Sequence, residues 1–427
     1  MSASARDIED YEHWRRFAEE NPQRVGGSKW DRELAAFVSL YGWAQGAGHV
    51  LGSPIAMTQV AGRGGTMIDS AASWAKNTRR SNVHWLTPRT WRLWMDVGLR
   101  GHDREGVPQR GWMGRLEDRN VAFVRLLTSS GLRRTEAGSL LTFEVPVQHL
   151  EGSRYYRGRV AAAVTRSKKT RTFYVRADAV GDIEAYMASS RAWAIRRAQR
   201  KGVYSRLTDM RLVTEVISRQ SPIVRWVDRS GSVGERRLEH LTSRERMALF
   251  TEGPRGPEPL WLWLNERGLP FVPHSWEGVF HAANERCRSV LTPPGRAKLD
   301  PYQVFAPYAT PHSARHSFAL YMLVVLNTLM DQKFGLTPQE RRDFQQLYGD
   351  PWFMVQNLLG HSSRETTVDW YLSPVADLQL QALLASTAQP VAAPLPELDA
   401  TFARIARDSI GIQDVYDAQS TAEGGLA

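Results

Sequence analysis

At 427 residues the chain exceeds what one hydrophobic core usually supports, so two domains are expected. Its composition, 42% hydrophobic and 23% charged, is that of a globular protein, and its net charge of +10 favours a polyanionic partner, nucleic acid foremost. The single cysteine, Cys287, excludes an intramolecular disulfide and any cysteine-based zinc site, and fits a reducing cytosol. The segment after Met1 is polar and acidic, unlike a signal peptide. The most apolar run, Phe318 to Met330, is broken by Asn327 and Thr328 and is shorter than the ~20 residues of a membrane span. A cytoplasmic, nucleoid-associated protein is therefore expected, with no membrane partner.

In chain order, the first hundred residues read as helical. Trp30, Leu34, Phe37, Val38 and Tyr41 recur at three- and four-residue spacing, one apolar helical face that Gly46, Gly48 and Pro54 close. A basic, Trp-rich stretch runs from Trp74 to Trp94, and 101–111, rich in turn formers, reads as a linker. Leu116 to Thr128 predicts a helix stopped by Ser129-Ser130-Gly131. Tyr155 to Val164 and Thr172 to Val175 predict a hairpin with basic residues at its tip. From about Asp182 the pattern returns to helices. Past Pro374 come a short apolar helix, Ala376 to Leu384, a Pro/Ala-rich connector, Gln389 to Pro396, and a last helix at Leu398 to Arg407.

Four separated pieces carry the chemistry. They are Ser130-Gly-Leu-Arg-Arg-Thr-Glu136, the pair Lys168-Lys169, Pro311-His-Ser-Ala-Arg-His316, and Leu358-Leu-Gly-His-Ser-Ser-Arg-Glu-Thr-Thr-Val-Asp-Trp-Tyr-Leu372. Together, and in this order, they resemble the catalytic domain of the tyrosine recombinase (phage integrase) family over roughly residues 112–375. No one of them is specific alone.

The resemblance implies a mostly α fold with a small β-sheet. A helical core-binding domain over 1–100 and a linker over 101–111 would precede a catalytic domain over 112–385, the two closing on DNA as a C-shaped clamp. The tail, 386–427, would contact a protomer. It also implies roles. Attack on a phosphodiester builds negative charge on the non-bridging oxygens, and arginine, planar and always charged, suits the task of meeting it. Arg133 and Arg315 would clamp the phosphate, and His312 and His361 would hydrogen-bond it and assist proton transfer. Lys168 would protonate the leaving 5′ oxygen, and Tyr371 would attack to form a 3′-phosphotyrosyl link. Glu136, one helical turn after Arg133, would orient the site. Strand exchange by a tetramer on paired double-stranded DNA sites would pass through a Holliday junction, for integration or excision of a mobile element, with a directionality or accessory protein as a further partner.

Alternatives stay open at several positions. Arg134 competes with Arg133, Lys169 with Lys168, and Trp370 with Tyr371, although an indole offers no nucleophilic oxygen. His316 reads as a buried structural residue. The Ala376–Leu384 helix can pack on its own domain or on a neighbouring protomer, and the extra segment 331–350 reads as an insertion touching DNA or a neighbouring subunit, or as no more than a longer loop. No Gly-x-x-x-x-Gly-Lys loop, His-Glu-x-x-His motif or carboxylate cluster is present, so no cofactor, ATP or metal is expected. The rival activities are a topoisomerase- or telomere-resolvase-like strand transferase and a catalytically silent DNA-binding regulator.

Overall fold

The computed structural model describes residues 3–61, 67–74, 85–147, 155–217, 221–292 and 306–332, with residues 355, 359, 412 and 413. His361, Tyr371, most of the 331–350 segment and the helices expected at 376–384 and 398–407 lie outside the described residues. About half of what is described is helical, with small sheets. The chain divides into two compact units, Met1–Asn82 and Val83–Ala427.

The first unit is built on α1 (Ala5–Arg16) and α2 (Gly27–Gly46). The apolar face read from the sequence is its core: Trp30 and Leu34 are fully buried, and Phe37, Val38 and Tyr41 pack around them with Ile8, Val25 and Ile55. Arg15 grips Glu33 through two bonds of 3.0 and 2.9 Å, fixing α1 on α2. The unit is not wholly helical, contrary to expectation. β1 (Met57–Ala61) and β2 (Met67–Ala71) form an antiparallel hairpin, and the Trp30 indole donates to the Ser73 carbonyl just beyond it.

The second unit begins earlier than residue 101. β3 (Trp85–Leu86) leads into α3 (Pro88–Gly98), which Thr87 caps and Pro88 starts. Trp91 and Trp94, expected on a DNA-binding first domain, are buried here instead, and the Trp94 indole donates to Asn284 at 2.8 Å. The segment 101–111 is not a free linker, since Arg286 reaches its His102 carbonyl and Gln109 side chain.

Next come α4 (Glu117–Ser130), α5 (Arg134–Gly138) and the hairpin β4 (Tyr155–Val160) and β5 (Arg171–Arg176), then α6 (Ala177–Tyr186) and α7 (Ala192–Arg200), joined by one π-helical turn, Met187–Arg191. A region read from the sequence as helical is instead a five-stranded sheet. β6 (Arg211–Ile217), β7 (Ile223–Asp228), β8 (Val233–Arg237), β9 (Leu249–Gly253) and β10 (Gly256–Pro259) stand in the order β10-β9-β6-β7-β8, antiparallel except for β6 on β9. A short α8 (Ser243–Met247) lies between β8 and β9. Among the described residues, α9 (Trp276–Leu291), α10 (Pro311–Gln332) and β11 (Ile412–Gln413) follow.

The core centres on α4, whose Phe123 stacks on Trp276 at 3.5 Å with Trp263 edge-on to both. α4 ends at Gly131 in the left-handed conformation, φ 62°, which glycine adopts without penalty. α10 crosses here so closely that a Cβ on Gly131 would drive into the Phe318 ring and meet Leu359 at 3.1 Å. Gly131→Ala should therefore cost about 2–4 kcal/mol, from crowding and left-handed strain together, read as a lower denaturation midpoint in urea.

Candidate active site

α4, α5, β5 and α10 bring one cluster of charged side chains together. The left-handed Gly131 turns the chain out of α4, and Arg133 then sits extended as the N-cap of α5. Glu136, on the third residue of that helix, accepts from the Arg133 backbone N–H at 2.9 Å, as a carboxylate at N3 commonly does. The same carboxylate accepts from the Arg133 guanidinium at 3.0 Å and from Arg171 at 2.5 Å. Glu136 is buried. Burial pushes its pKa up, but Arg171, Arg315 and Arg133 outweigh that and hold it below the ordinary carboxyl value.

α10 supplies the other half. Thr310 caps it, accepting from Ser313 N–H at 3.0 Å, and Pro311 opens its first turn. His312 and Arg315 follow, three residues apart and hence on one face. Arg315 is buried and donates to two main-chain carbonyls, those of Gly131 and Leu359, so one guanidinium joins α10 to the end of α4 and to the residue two before His361 in sequence. His312 itself is exposed; partial desolvation, then Arg315 and Arg133, push its imidazole pKa down from the ordinary value. Its ring meets that of His316 edge-to-face at 4.3 Å, and His316 is buried with Trp85 at 6.3 Å on its other side.

The two alternatives left open on described residues differ in surroundings. Arg134 points to Glu277 on α9, whereas Arg133 joins Glu136. Lys168 and Lys169 are both exposed at the hairpin turn. Lys168 takes a positive φ of 54° with its amine 3.5 Å from the Ala163 carbonyl, and the Lys169 carbonyl accepts from Thr165. Neither amine meets the arginine cluster. The hairpin does meet it through Arg171, which sequence reading treated only as a turn residue. The signal was present: Arg171, Phe173 and Val175 alternate along β5, and the two apolar members are buried. An arginine in phase with a buried face needs a buried acid, and Glu136 is that acid.

The tail is described only at β11, which pairs in parallel with β3 of its own chain, Ile412 opposite Trp85 and Gln413 opposite Leu86. The Gln413 side chain also accepts from Tyr308 N–H at 2.9 Å, just ahead of α10.

Chemically, a cluster of fixed arginines beside an imidazole is suited to an anion that gains charge during reaction. Glu136→Ala should destabilise the protein by about 3–5 kcal/mol, because it strands the largely buried Arg171. The carboxylate's contribution is complete above the ordinary value of 4.5 and is lost as pH falls through its lower folded value. In Glu136→Gln the acid fall of the melting temperature should therefore be shallower, as calorimetry across that range would record.

No family model and no curated protein sequence matches the chain. Among solved structures, it is similar to the XerH site-specific recombinase bound to palindromic difH substrate in a post-cleavage complex, at 13% identity and a TM-score of 0.34, covering 74% of this chain and 56% of that one. The pre-cleavage XerH–difH complex aligns at 11% identity and a TM-score of 0.38, over 89% of this chain and 70% of that one. The chain thus spans little more than half of the first of these proteins.

Proposed function

We propose that this chain is a DNA strand transferase of the tyrosine-recombinase kind, a site-specific recombinase that cuts and rejoins duplex DNA through a covalent protein–DNA link. The observation that carries the reading is the gathering of Arg133, Arg171 and Arg315 around one buried carboxylate, Glu136, with His312 three residues before Arg315 on α10 and the lysine-bearing hairpin joined to that carboxylate through Arg171. Such a set neutralises a phosphodiester as its phosphorus becomes five-coordinate.

In this reading the Tyr371 phenol attacks phosphorus, the phosphorus–oxygen bond to the 5′ carbon breaks, and a 3′-phosphotyrosyl link conserves the energy for rejoining. His312 and His361 hydrogen-bond the phosphate and assist proton transfer, and Lys168 delivers a proton to the departing 5′ oxygen. Glu136 holds its ionised form throughout and orients the arginines. A tetramer on paired sites, closing on DNA through both units, would complete two rounds of exchange.

The test uses nicked duplexes selected from a random-sequence library for binding to this protein. The wild type should form a denaturation-resistant protein–DNA adduct, and Tyr371→Phe should bind the same duplex without forming one. Adduct formation by Tyr371→Phe at the wild-type rate would move the nucleophile elsewhere, and no adduct from any bound duplex would leave a DNA-binding protein without this chemistry. For the acid, Lys168→Ala should slow cleavage by ~10²–10⁴-fold. A 5′-bridging sulfur, which leaves without protonation, should restore most of that rate. Rescue of Lys169→Ala in its place would shift the assignment by one residue.

A further inference from the structure

We infer that the outward face of α7 is a second DNA-backbone contact, remote from the site of strand cleavage; the identity of the partner rests on the function proposed above. Position comes first. α6 lies antiparallel on α4: Arg125, in the middle of α4, meets Asp182 at 3.0 Å and Asp178 at 3.9 Å, while Asp118, at the start of α4, accepts from Ser189 and Ser190 at 2.8 Å each. The end of α6 therefore points away from Gly131, where α4 reaches the candidate active site. α4 is 14 residues long, about 20 Å at a helical rise of 1.5 Å per residue, and α7 continues beyond its far end.

Chemistry comes second. Between Glu184 and Asp209 the sequence holds no acidic residue, but it holds Arg191, Arg196, Arg197, Arg200, Lys201 and Arg206. Arg191 is spent inside, donating to the carbonyls of Pro259, Trp261 and Leu262. Ala194, Ile195 and Ala198 face inward too, and Gln199 bonds the Gly256 and Pro257 carbonyls. The remaining cations lie on the outer side, with Arg196, Arg200, Lys201 and Arg206 exposed. Trp193 stands among them, 48% exposed, with the Arg197 guanidinium 5.2 Å over its ring.

Among the described residues, none of these five cations forms an ion pair, whereas Arg15, Arg16, Arg100, Arg125, Arg176 and Arg225 each have a carboxylate. Like charges four residues apart, as Arg196 and Arg200 are, repel on a helix surface. Their placement near the helix C-terminus offsets only part of that cost. A polyanion removes the repulsion and releases its own counterions as it binds. A membrane surface fits poorly, since the apolar side chains of α7 apart from Trp193 are turned inward. Under the function proposed above, a duplex held by its phosphates at the catalytic centre presents such a polyanion along both flanks of the cut.

The experiment compares the wild type with Arg196→Gln/Arg200→Gln/Lys201→Gln, all exposed positions, on a short duplex covering only the cleavage region and on one extended on both sides. The readouts are affinity at several salt concentrations, thermal melting, and adduct formation on the nicked short duplex. On the extended duplex the variant should show a salt slope shallower by about 2–3, at roughly 0.9 for each phosphate it no longer neutralises. On the short duplex it should match the wild type in slope and adduct yield. Arg200→Gln alone should shift the slope by about 1 in the same direction, which keeps the test open should the triple variant melt early. Equal slopes for wild type and variants on the extended duplex, with adduct formation intact, would overturn the inference alone and leave the face to an acidic protein. A wild type that forms no adduct yet shows the slope difference would overturn the strand-transfer reading and keep the DNA-contacting face.

Discussion

A buried carboxylate stays ionised only where fixed positive charge repays its lost hydration, and Glu136 sets that condition where α5, the hairpin and α10 meet. Arg133 comes to it from the turn after α4, Arg171 from the hairpin, and Arg315 acts on it from α10. These elements are far apart in sequence and share no continuous sheet or helix. The single buried charge gives them a common point. It also keeps three mutually repelling cations close together before any substrate arrives, which is the costly part of preparing a site for a phosphate.

Arg315 shows how position and chemistry are combined. Its donors go to the carbonyls of Gly131 and Leu359, closing the end of α4 against α10 and against the segment leading toward His361. The approach works because Gly131 has no Cβ and takes a left-handed turn under the Phe318 ring. The same packing withdraws Arg315 from water while His312 stays exposed at the start of α10, its imidazole pKa moved down by partial desolvation and by the Arg315 and Arg133 charges. The ring is then available to exchange a proton while the arginines carry the charge.

Much of this was legible in the sequence, for reasons that can be traced. The hairpin announced itself through β-branched and aromatic runs around a polar turn, and the helical face at Trp30 through its spacing, whereas His312 and Arg315 stood out only as a motif shared with a known family. Arg133 separates from Arg134 only in three dimensions, where Glu277 takes one and Glu136 the other. The five-stranded sheet was missed although Arg211–Ile217 and Ile223–Asp228 are rich in β-branched residues and a turn former, Gly231, follows. Their strands alternate with charges on the open face, Glu215, Arg225 and Glu235, which pair across the sheet and blur the apolar signal. Trp91 and Trp94 misled for another reason. They fall in a basic stretch that reads as part of the first domain, but these indoles are buried in the core of the second unit, and Trp94 finds its partner 190 residues away in Asn284, which no local pattern reports.

The central claim is that the arginines gathered by Glu136 neutralise a scissile phosphate, and it is tested most directly by removing the charge from the substrate instead of the protein. Arg133→Ala, at the partly exposed edge of the cluster, would be assayed on a nicked duplex with a phosphodiester and on one with a neutral methylphosphonate at the cleavage position. Cleavage of the phosphodiester should fall by ~10²-fold or more, as for loss of one charge-stabilising donor, while the methylphosphonate is cleaved at close to the rate the intact protein achieves on it. Equal losses on both substrates would contradict the claim, for they would mean that Arg133 shapes the site without meeting the charge of the phosphate.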